Sequence, residues 1–258
     1  MWLSVMAAVV VWLATNVGCR RRPTETIKVR GAPALGDAFG EVARQFMASN
    51  PDVTVAADFT CPPCLSPTTA ESKVDFDVLV SAGRADMEAF VRRGVVQPED
   101  VRDFGTASLV IVLPSDSTLE IRSLADLARE EIQRIDIGDP AAISTGEYAR
   151  QALKNAGLWE KVSPKLVECK TGCQVLKAVA LGEANAGFSY AFCVSGERQT
   201  VKLAATVDER LHDPIVLQIG LTQRGARSPA ARELVDYVLS ADGRRILRRY
   251  AIRAVGDG

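Results

Sequence analysis

Residues 107–114 read ASLVIVLP and residues 215–222 read IVLQIGLT, and these two apolar runs determine how the chain is organised. Each run has the length and composition of a buried strand. They divide the chain into about thirds, which predicts two lobes joined by two crossing strands. We expect residues 27–107 with 220–258 to form lobe 1 and residues 108–219 to form lobe 2. A cleft between two such lobes is a common place for a small ligand.

Shorter patterns on both sides of these runs alternate between strand and helix. Such alternation predicts an α/β fold with mainly parallel sheets. The predicted strands cover residues 27–30, 53–59, 76–80, 135–137, 166–168 and 186–190. The predicted helices cover residues 38–47, 86–93, 124–132, 146–156, 174–181, 229–239 and 242–250.

Composition narrows the classes of function. The chain has 258 residues, of which 47% are hydrophobic and 24% charged, so it has the composition of a globular protein. Its 31 basic and 32 acidic residues nearly cancel, which argues against a nucleic-acid partner. The single histidine, His212, lies in a polar segment that predicts a solvated loop, and no nucleophile-elbow motif is present. We therefore expect neither an enzyme nor a bound cofactor.

The N-terminus predicts export from the cytoplasm. Residues 1–18 carry no charge, and the apolar run ends at Asn16-Val17-Gly18-Cys19, which resembles a bacterial lipoprotein cleavage site. This interpretation makes residues 1–18 a signal peptide, Cys19 the lipidated N-terminus and residues 19–26 a tether to the membrane. An uncleaved anchor and a cleaved soluble protein are the two alternatives.

Four blocks of sequence resemble a known family. They are DVLVSA at 77–82, LVIVLP at 109–114, IGDPAAISTGEYARQALKNAGLW at 137–159 and VALGEANAGFSY at 179–190. Together they are similar to the molybdate-binding type of substrate-binding protein that serves bacterial ABC importers. The resemblance implies a two-lobed periplasmic binding protein-like fold, a molybdate or tungstate ligand and an ABC permease as partner.

The resemblance also implies three binding residues in the second lobe. The residues matching Thr145 and Gly172 contribute backbone N–H groups to the anion, and the tyrosine matching Tyr190 donates its hydroxyl. Helix N-termini and hydroxyls suit this task because they offer aimed partial charge without a fixed cation. Thr145 as a simple helix cap and Tyr190 as an ordinary strand-end tyrosine are the structural alternatives.

The first lobe departs from the family's pattern. Ala34 stands where the family has a serine, and Thr60-Cys61-Pro62-Pro63-Cys64 occupies the stretch of its second serine. Alanine has no hydroxyl and proline has no N–H, so recognisable donors are missing there. The substitutes that we expect are the hydroxyls of Thr60 or Ser66 and the backbone N–H of Cys61 or Cys64.

Six cysteines leave two main interpretations open, beside unrelated buried cysteines that share no role. Exported proteins usually hold cysteines as structural disulfides, and Cys169 and Cys173 are close enough in sequence to pair locally. Alternatively, thiolates of Cys61, Cys64, Cys169 and Cys173 form a site for a thiophilic metal or metalloid. This second interpretation would make the protein a metal receptor on the same fold.

Overall fold

Two five-stranded sheets organise the protein, whose computed structural model describes residues 25–59, 74–195 and 201–255. The strands are β1 Glu25–Gly31, β2 Val53–Asp58, β3 Val78–Ser81, β4 Val96–Ala107, β5 Leu109–Pro114, β6 Ile135–Gly138, β7 Leu166–Cys169, β8 Ala186–Tyr190, β9 Val201–Thr206 and β10 Ile215–Thr222. The α-helices are α1 Gly36–Ser49, α2 Arg84–Arg92, α3 Ser144–Asn155, α4 Trp159–Val162, α5 Gly172–Ala180, α6 Pro229–Leu239 and α7 Ala241–Arg248. The expected two-lobed α/β architecture is confirmed.

The first sheet has the order β2-β1-β3-β10-β4, with β1, β2 and β3 parallel and β10 antiparallel to both of its neighbours. Side chains of a strand alternate between its two faces. Val78 and Val80 therefore join the core beneath α1 and α6, whereas Leu79 packs with Met87 of α2 on the other face. Helices cover both faces, which explains why β3 is apolar up to its last residue, Ser81.

The second sheet has the order β7-β6-β8-β5-β9 and follows the same principle. Leu109 and Ile111 of β5 belong to the large core that also contains α3, whereas Val110 and Val112 pack against α5. Strands β6, β7 and β8 are parallel, so their carboxyl ends lie at one edge of this sheet.

The chain passes between the two sheets at Ser108 and again after Thr206. The run at 107–114 is therefore not one strand, because β4 ends at Ala107 in the first sheet and β5 begins at Leu109 in the second. Strand β10 lies wholly in the first sheet, with Ile215 opposite Ala107. The expected limit of the second lobe at residue 219 is thus too late, since the chain has rejoined the first sheet by Ile215.

Other differences follow from weak local signals. Strands β4 and β9 were not predicted, because β4 carries Pro98 and several charges and is held as a strand mainly by β10. The helix expected over 124–132 is only a short 3-10 turn, Leu124–Ala128. Strand β1 begins at Glu25, inside the expected tether. The proposed signal peptide and Cys19 lie outside the described residues, among which no helix is long and apolar enough to span a membrane.

Candidate functional site

The carboxyl ends of parallel strands in the two sheets lie beside each other, and the region between them is called the cleft. Ligands of open α/β sheets bind at this end of the strands. The 3-10 turn Pro33–Leu35, which follows β1, packs against the turn Ala191–Cys193, which follows β8. Gly83, just after β3, lies against α3, since a Cβ atom placed on it would sit 3.0 Å from Ser144 Oγ. The site that the sequence predicts therefore falls where the edges of the two sheets meet.

Tyr190 ends β8 at this edge, and its side chain is buried. It is only 4% exposed, and its hydroxyl has no hydrogen-bond partner among the described residues. Phe192 stacks on the ring with centroids 4.9 Å apart, which holds the ring in place. Burial raises the pKa of Tyr190 well above its ordinary value. The nearby Asp86 adds to this effect, and the Ser144 side chain opposes it. The hydroxyl is thus a buried neutral group close to Asp86 and Ser144 at this edge.

Thr145 lies in the first turn of α3 and is 6% exposed. Neither Thr145 nor Ser144 caps this helix, because Ile143 precedes its first residue and no side chain accepts from the first turn. The capping alternative is therefore wrong for Thr145. The first N–H groups of a helix have no partner within it, so the α3 N-terminus offers backbone donors at the cleft.

Gly146 explains how α3 comes so close to β6. A Cβ atom on Gly146 would lie 1.9 Å from the carbonyl oxygen of Gly138, the last residue of that strand. Only glycine allows this approach. The helix N-terminus is therefore brought directly to the carboxyl end of the strand, where it faces the first lobe.

Two first-lobe residues at the cleft were missed in the sequence. Ser81 ends β3, is 4% exposed, and its Oγ has no partner among the described residues. Asp86, in the first turn of α2, accepts a hydrogen bond from Ser144 Oγ at 2.9 Å across the cleft. The block at 77–82 could have indicated Ser81, because this residue is the polar carboxyl end of a buried parallel strand, where ligands of such sheets bind.

The remaining site residues that the sequence predicts are less buried than Thr145 and Tyr190, or lie outside the described residues. Ala34 lies in the turn Pro33–Leu35, half-buried, and its methyl group offers no donor. Gly172 is the first residue of α5, where a Cβ atom would meet nothing within 4 Å. Thr171 caps that helix by accepting from Gln174 N at 3.2 Å. Thr60, Cys61, Cys64 and Ser66 lie outside the described residues.

The described cysteines are thiols rather than disulfides. Cys169, Cys173 and Cys193 are all free, so the local pair expected between Cys169 and Cys173 is wrong. Cys169 Sγ instead lies 3.4 Å from Asp136 Oδ2, while Cys173 is exposed on α5. Burial raises the pKa of Cys169 to about 11 and that of Cys193 to about 12, which disfavours both thiolates.

The described ranges contain no group of three or more histidine, cysteine, aspartate or glutamate side chains that could hold a metal ion. The expected metal cluster is therefore not formed by Cys169 and Cys173 with other described residues. His212 is also not solvated as expected, because it is 7% exposed and its ring lies 5.7 Å from that of Tyr148. Its Nδ1 lies 2.7 Å from the carbonyl oxygen of Asp213.

Comparison with known proteins gives a consistent family. A family model described as bacterial extracellular solute-binding protein matches residues 27–253. The molybdate-binding protein ModA of Mycobacterium tuberculosis is 30% identical over 227 residues, covering 86% of this chain and 82% of the relative. ModA of Haemophilus influenzae is 25% identical, covering 94% of this chain and 95% of that relative.

A solved structure agrees at the level of the fold. The periplasmic molybdate-binding protein of Azotobacter vinelandii superposes with a TM-score of 0.74 at 19% sequence identity. The match covers 88% of this chain and 98% of that one.

A substrate-binding lipoprotein of a Bacillus subtilis ABC transporter is 24% identical, covering 89% of this chain and 86% of the relative.

Proposed function

The chain belongs to the bacterial extracellular solute-binding proteins, and from that premise we propose that it captures a tetrahedral oxyanion of the molybdate or tungstate type. The anion would bind in the cleft between the two sheets and be delivered to the permease of an ABC importer. The relatives named for molybdate binding support this ligand class. This role requires selective binding and release, with no bond made or broken.

The observation that carries the proposal is a pair of buried hydroxyls without partners. Ser81 ends β3 in the first sheet and Tyr190 ends β8 in the second, and neither hydroxyl has a hydrogen-bond partner among the described residues. A buried polar group without a partner costs about 1–3 kcal/mol. An oxyanion that accepts from both hydroxyls would remove this cost in both lobes at once and would hold the lobes together.

Backbone groups would complete the shell. The N–H of Thr145 is available at the N-terminus of α3, and Gly172 begins α5 beyond the neighbouring strand β7. In the first lobe, Ala34 can contribute only its backbone, so we assign the missing hydroxyl and N–H donors to Thr60 and Cys61. Neutral donors of this kind allow tight binding together with release, because no fixed cation has to be separated from the anion.

Ligand-dependent thermal unfolding tests the proposal. Molybdate or tungstate at a hundredfold excess over Kd should stabilise the protein by about 2.7 kcal/mol. For a chain of this size the shift in Tm is about 5–10 °C. Ser81→Ala should remove much of this shift. Ser163→Ala is the matched control, because Ser163 precedes the amino end of β7, away from the cleft.

The alternative ligand class is decided by the same experiment. A thiophilic ligand such as zinc or arsenite would stabilise only the reduced protein, and replacement of Cys61 and Cys64 by serine would abolish that effect. Such a result, with no response to molybdate or tungstate, would refute the oxyanion proposal. Under our proposal the double serine variant still binds the oxyanion, because serine adds hydroxyl donors.

We also propose a membrane attachment for the protein. The family is extracellular, and the Bacillus relative is described as a lipoprotein. Cys19 ends the apolar N-terminal run and would carry the lipid. Stable attachment takes more than one acyl chain. Mass spectrometry of the N-terminus after expression in a bacterium should find a modified Cys19, whereas a mature chain that begins at Met1 would contradict this assignment.

A further inference from the structure

The cleft contains a carboxyl group beside its donors, and nothing in the proposed function accounts for it. Asp86 Oδ2 accepts from Ser144 Oγ at 2.9 Å, and Ser144 directly precedes Thr145. Gly83, which precedes α2, lies close to Ser144 and Tyr148. A Cβ atom placed on Gly83 would lie 3.3 Å from the Tyr148 hydroxyl oxygen. Asp86 therefore lies where the first lobe meets the N-terminus of α3.

The neighbouring cation does not neutralise this carboxyl group. Arg84, on the same helix, directs its guanidinium to Asp103 of β4, with Nη2 2.8 Å from Oδ2. In the described part of the chain no lysine or arginine forms an ion pair with Asp86. A carboxylate here would repel an incoming oxyanion strongly, because Coulomb energies rise as water is excluded.

Hydroxyl groups of α3 and β8 lie near Asp86 on the side of the second lobe, and acidic groups lie near Tyr148. Glu147 of α3 pairs with Arg150 on its own helix, and the hydroxyls of Tyr148 and Tyr190 are neutral at ordinary pH. Beyond Tyr148 lie Asp213, which is bonded to Gln151, and His212. Burial raises the pKa of Asp86 above its ordinary value, although the bond from Ser144 opposes this effect.

We propose that Asp86 is a specificity-determining residue and that the site binds its oxyanion together with one proton, held between the Asp86 carboxyl group and a ligand oxygen. The inference rests on the proposed function and narrows its ligand chemistry. A fully deprotonated oxyanion takes the proton from solvent, so no bond within the anion breaks. A protonated carboxyl group then donates to the anion, and the repulsion between them is removed.

The consequence is a linked pH dependence. Affinity is greatest where Asp86 is protonated, and it falls as pH rises above the pKa of this group in the free protein. Uptake of one proton corresponds to a loss of up to about tenfold in affinity per pH unit. A site built only from hydroxyls and N–H groups shows no such slope, because those donors do not titrate in this range.

Calorimetric titration with molybdate and with tungstate tests the coupling. It should run from about pH 5.5 to about pH 8.5, in paired buffers of different ionisation enthalpy. The wild-type chain should take up a proton on binding and lose affinity with pH. Asp86→Asn should abolish both effects and bind at least as tightly at the upper pH, since the amide donates without charge. Glu88→Gln, an exposed change on the same helix, should keep the wild-type profile.

The outcomes separate the inference from the proposed function. Binding of either anion without proton uptake, or an unchanged slope in Asp86→Asn, would overturn the inference and leave the function standing. Absence of binding to both anions at every pH would overturn the proposed function and the inference with it. If Asp86→Asn does not fold, the buffer dependence of the wild-type heat still measures the number of protons taken up, and a value of zero overturns the inference.

Discussion

Replacing Tyr190 by phenylalanine removes one oxygen atom from the cleft and leaves the ring and its stacking on Phe192 in place. The hydroxyl is buried and has no hydrogen-bond partner among the described residues. If it donates to a bound oxyanion, its loss costs about 1.5–3 kcal/mol of binding free energy. Affinity should then fall about 10- to 150-fold.

The same substitution, which weakens ligand binding, should not weaken the fold of the ligand-free protein. An unpartnered buried hydroxyl does not stabilise the fold, so Tyr190→Phe should leave the free energy of unfolding unchanged or raise it by up to about 1 kcal/mol. A tyrosine that only supports the structure cannot give this combination. Its hydroxyl would be bonded, and its removal would destabilise the free protein.

Paired measurements test both signs. Calorimetry with molybdate gives the affinity, and urea unfolding of the ligand-free protein gives the stability. Tyr237→Phe is the matched control, because Tyr237 lies on α6 with its ring 5.6 Å from Phe46 and away from the cleft. Unchanged affinity in Tyr190→Phe, or a loss of more than about 1 kcal/mol in the free protein, would refute the reasoning.

Three further predictions concern the fold and the thiols. Gly146→Ala should destabilise the protein by more than about 2 kcal/mol in urea unfolding, because the Cβ atom of the alanine would overlap a backbone oxygen. Gly40→Ala is the control, since a Cβ atom there meets nothing on the helix surface, and it should stabilise the protein by about 0.5–1 kcal/mol. Asp77→Ala should lower the free energy of unfolding by about 2–4 kcal/mol, since this buried carboxylate bonds an arginine and a backbone N–H. In the native protein an alkylating reagent should modify the exposed Cys173 long before Cys193, which is half-buried and has a raised pKa. Peptide mass spectrometry measures the two rates, and equal rates would contradict this difference.

Much of the fold was predictable because several strands are buried on both faces. Such strands appear in the sequence as continuous apolar runs, and β3, β5 and β10 were located in this way. Strand β4 could not be predicted in this way, because its polar residues and Pro98 do not resemble a strand. Its pairing with β10 makes it one. The break at Ser108 was also invisible, because a strand that changes sheets keeps one unbroken apolar pattern.

The candidate site was predictable only where it lies within one block of sequence. Thr145, Gly146 and Tyr190 stand in blocks that resemble the family, and the structure places Thr145 and Tyr190 buried at the cleft. Ser81 stood in such a block too, but its sequence does not show that its hydroxyl lacks a partner. The absence of a Cys169–Cys173 disulfide likewise followed from packing, which turns Cys169 toward Asp136.

By itself the sequence determined the α/β class, the two-lobed organisation and the family, since these depend on local periodicity and on short blocks of residues. Only the tertiary structure decided which polar groups meet in the cleft. Asp86 and Ser144 are 58 residues apart in the chain and lie on helices that pack against different sheets, yet they share a hydrogen bond. The physical reason is that a hydroxyl or carboxyl group acquires its binding role from burial and from the partners it lacks, and both are set by the approach of distant elements.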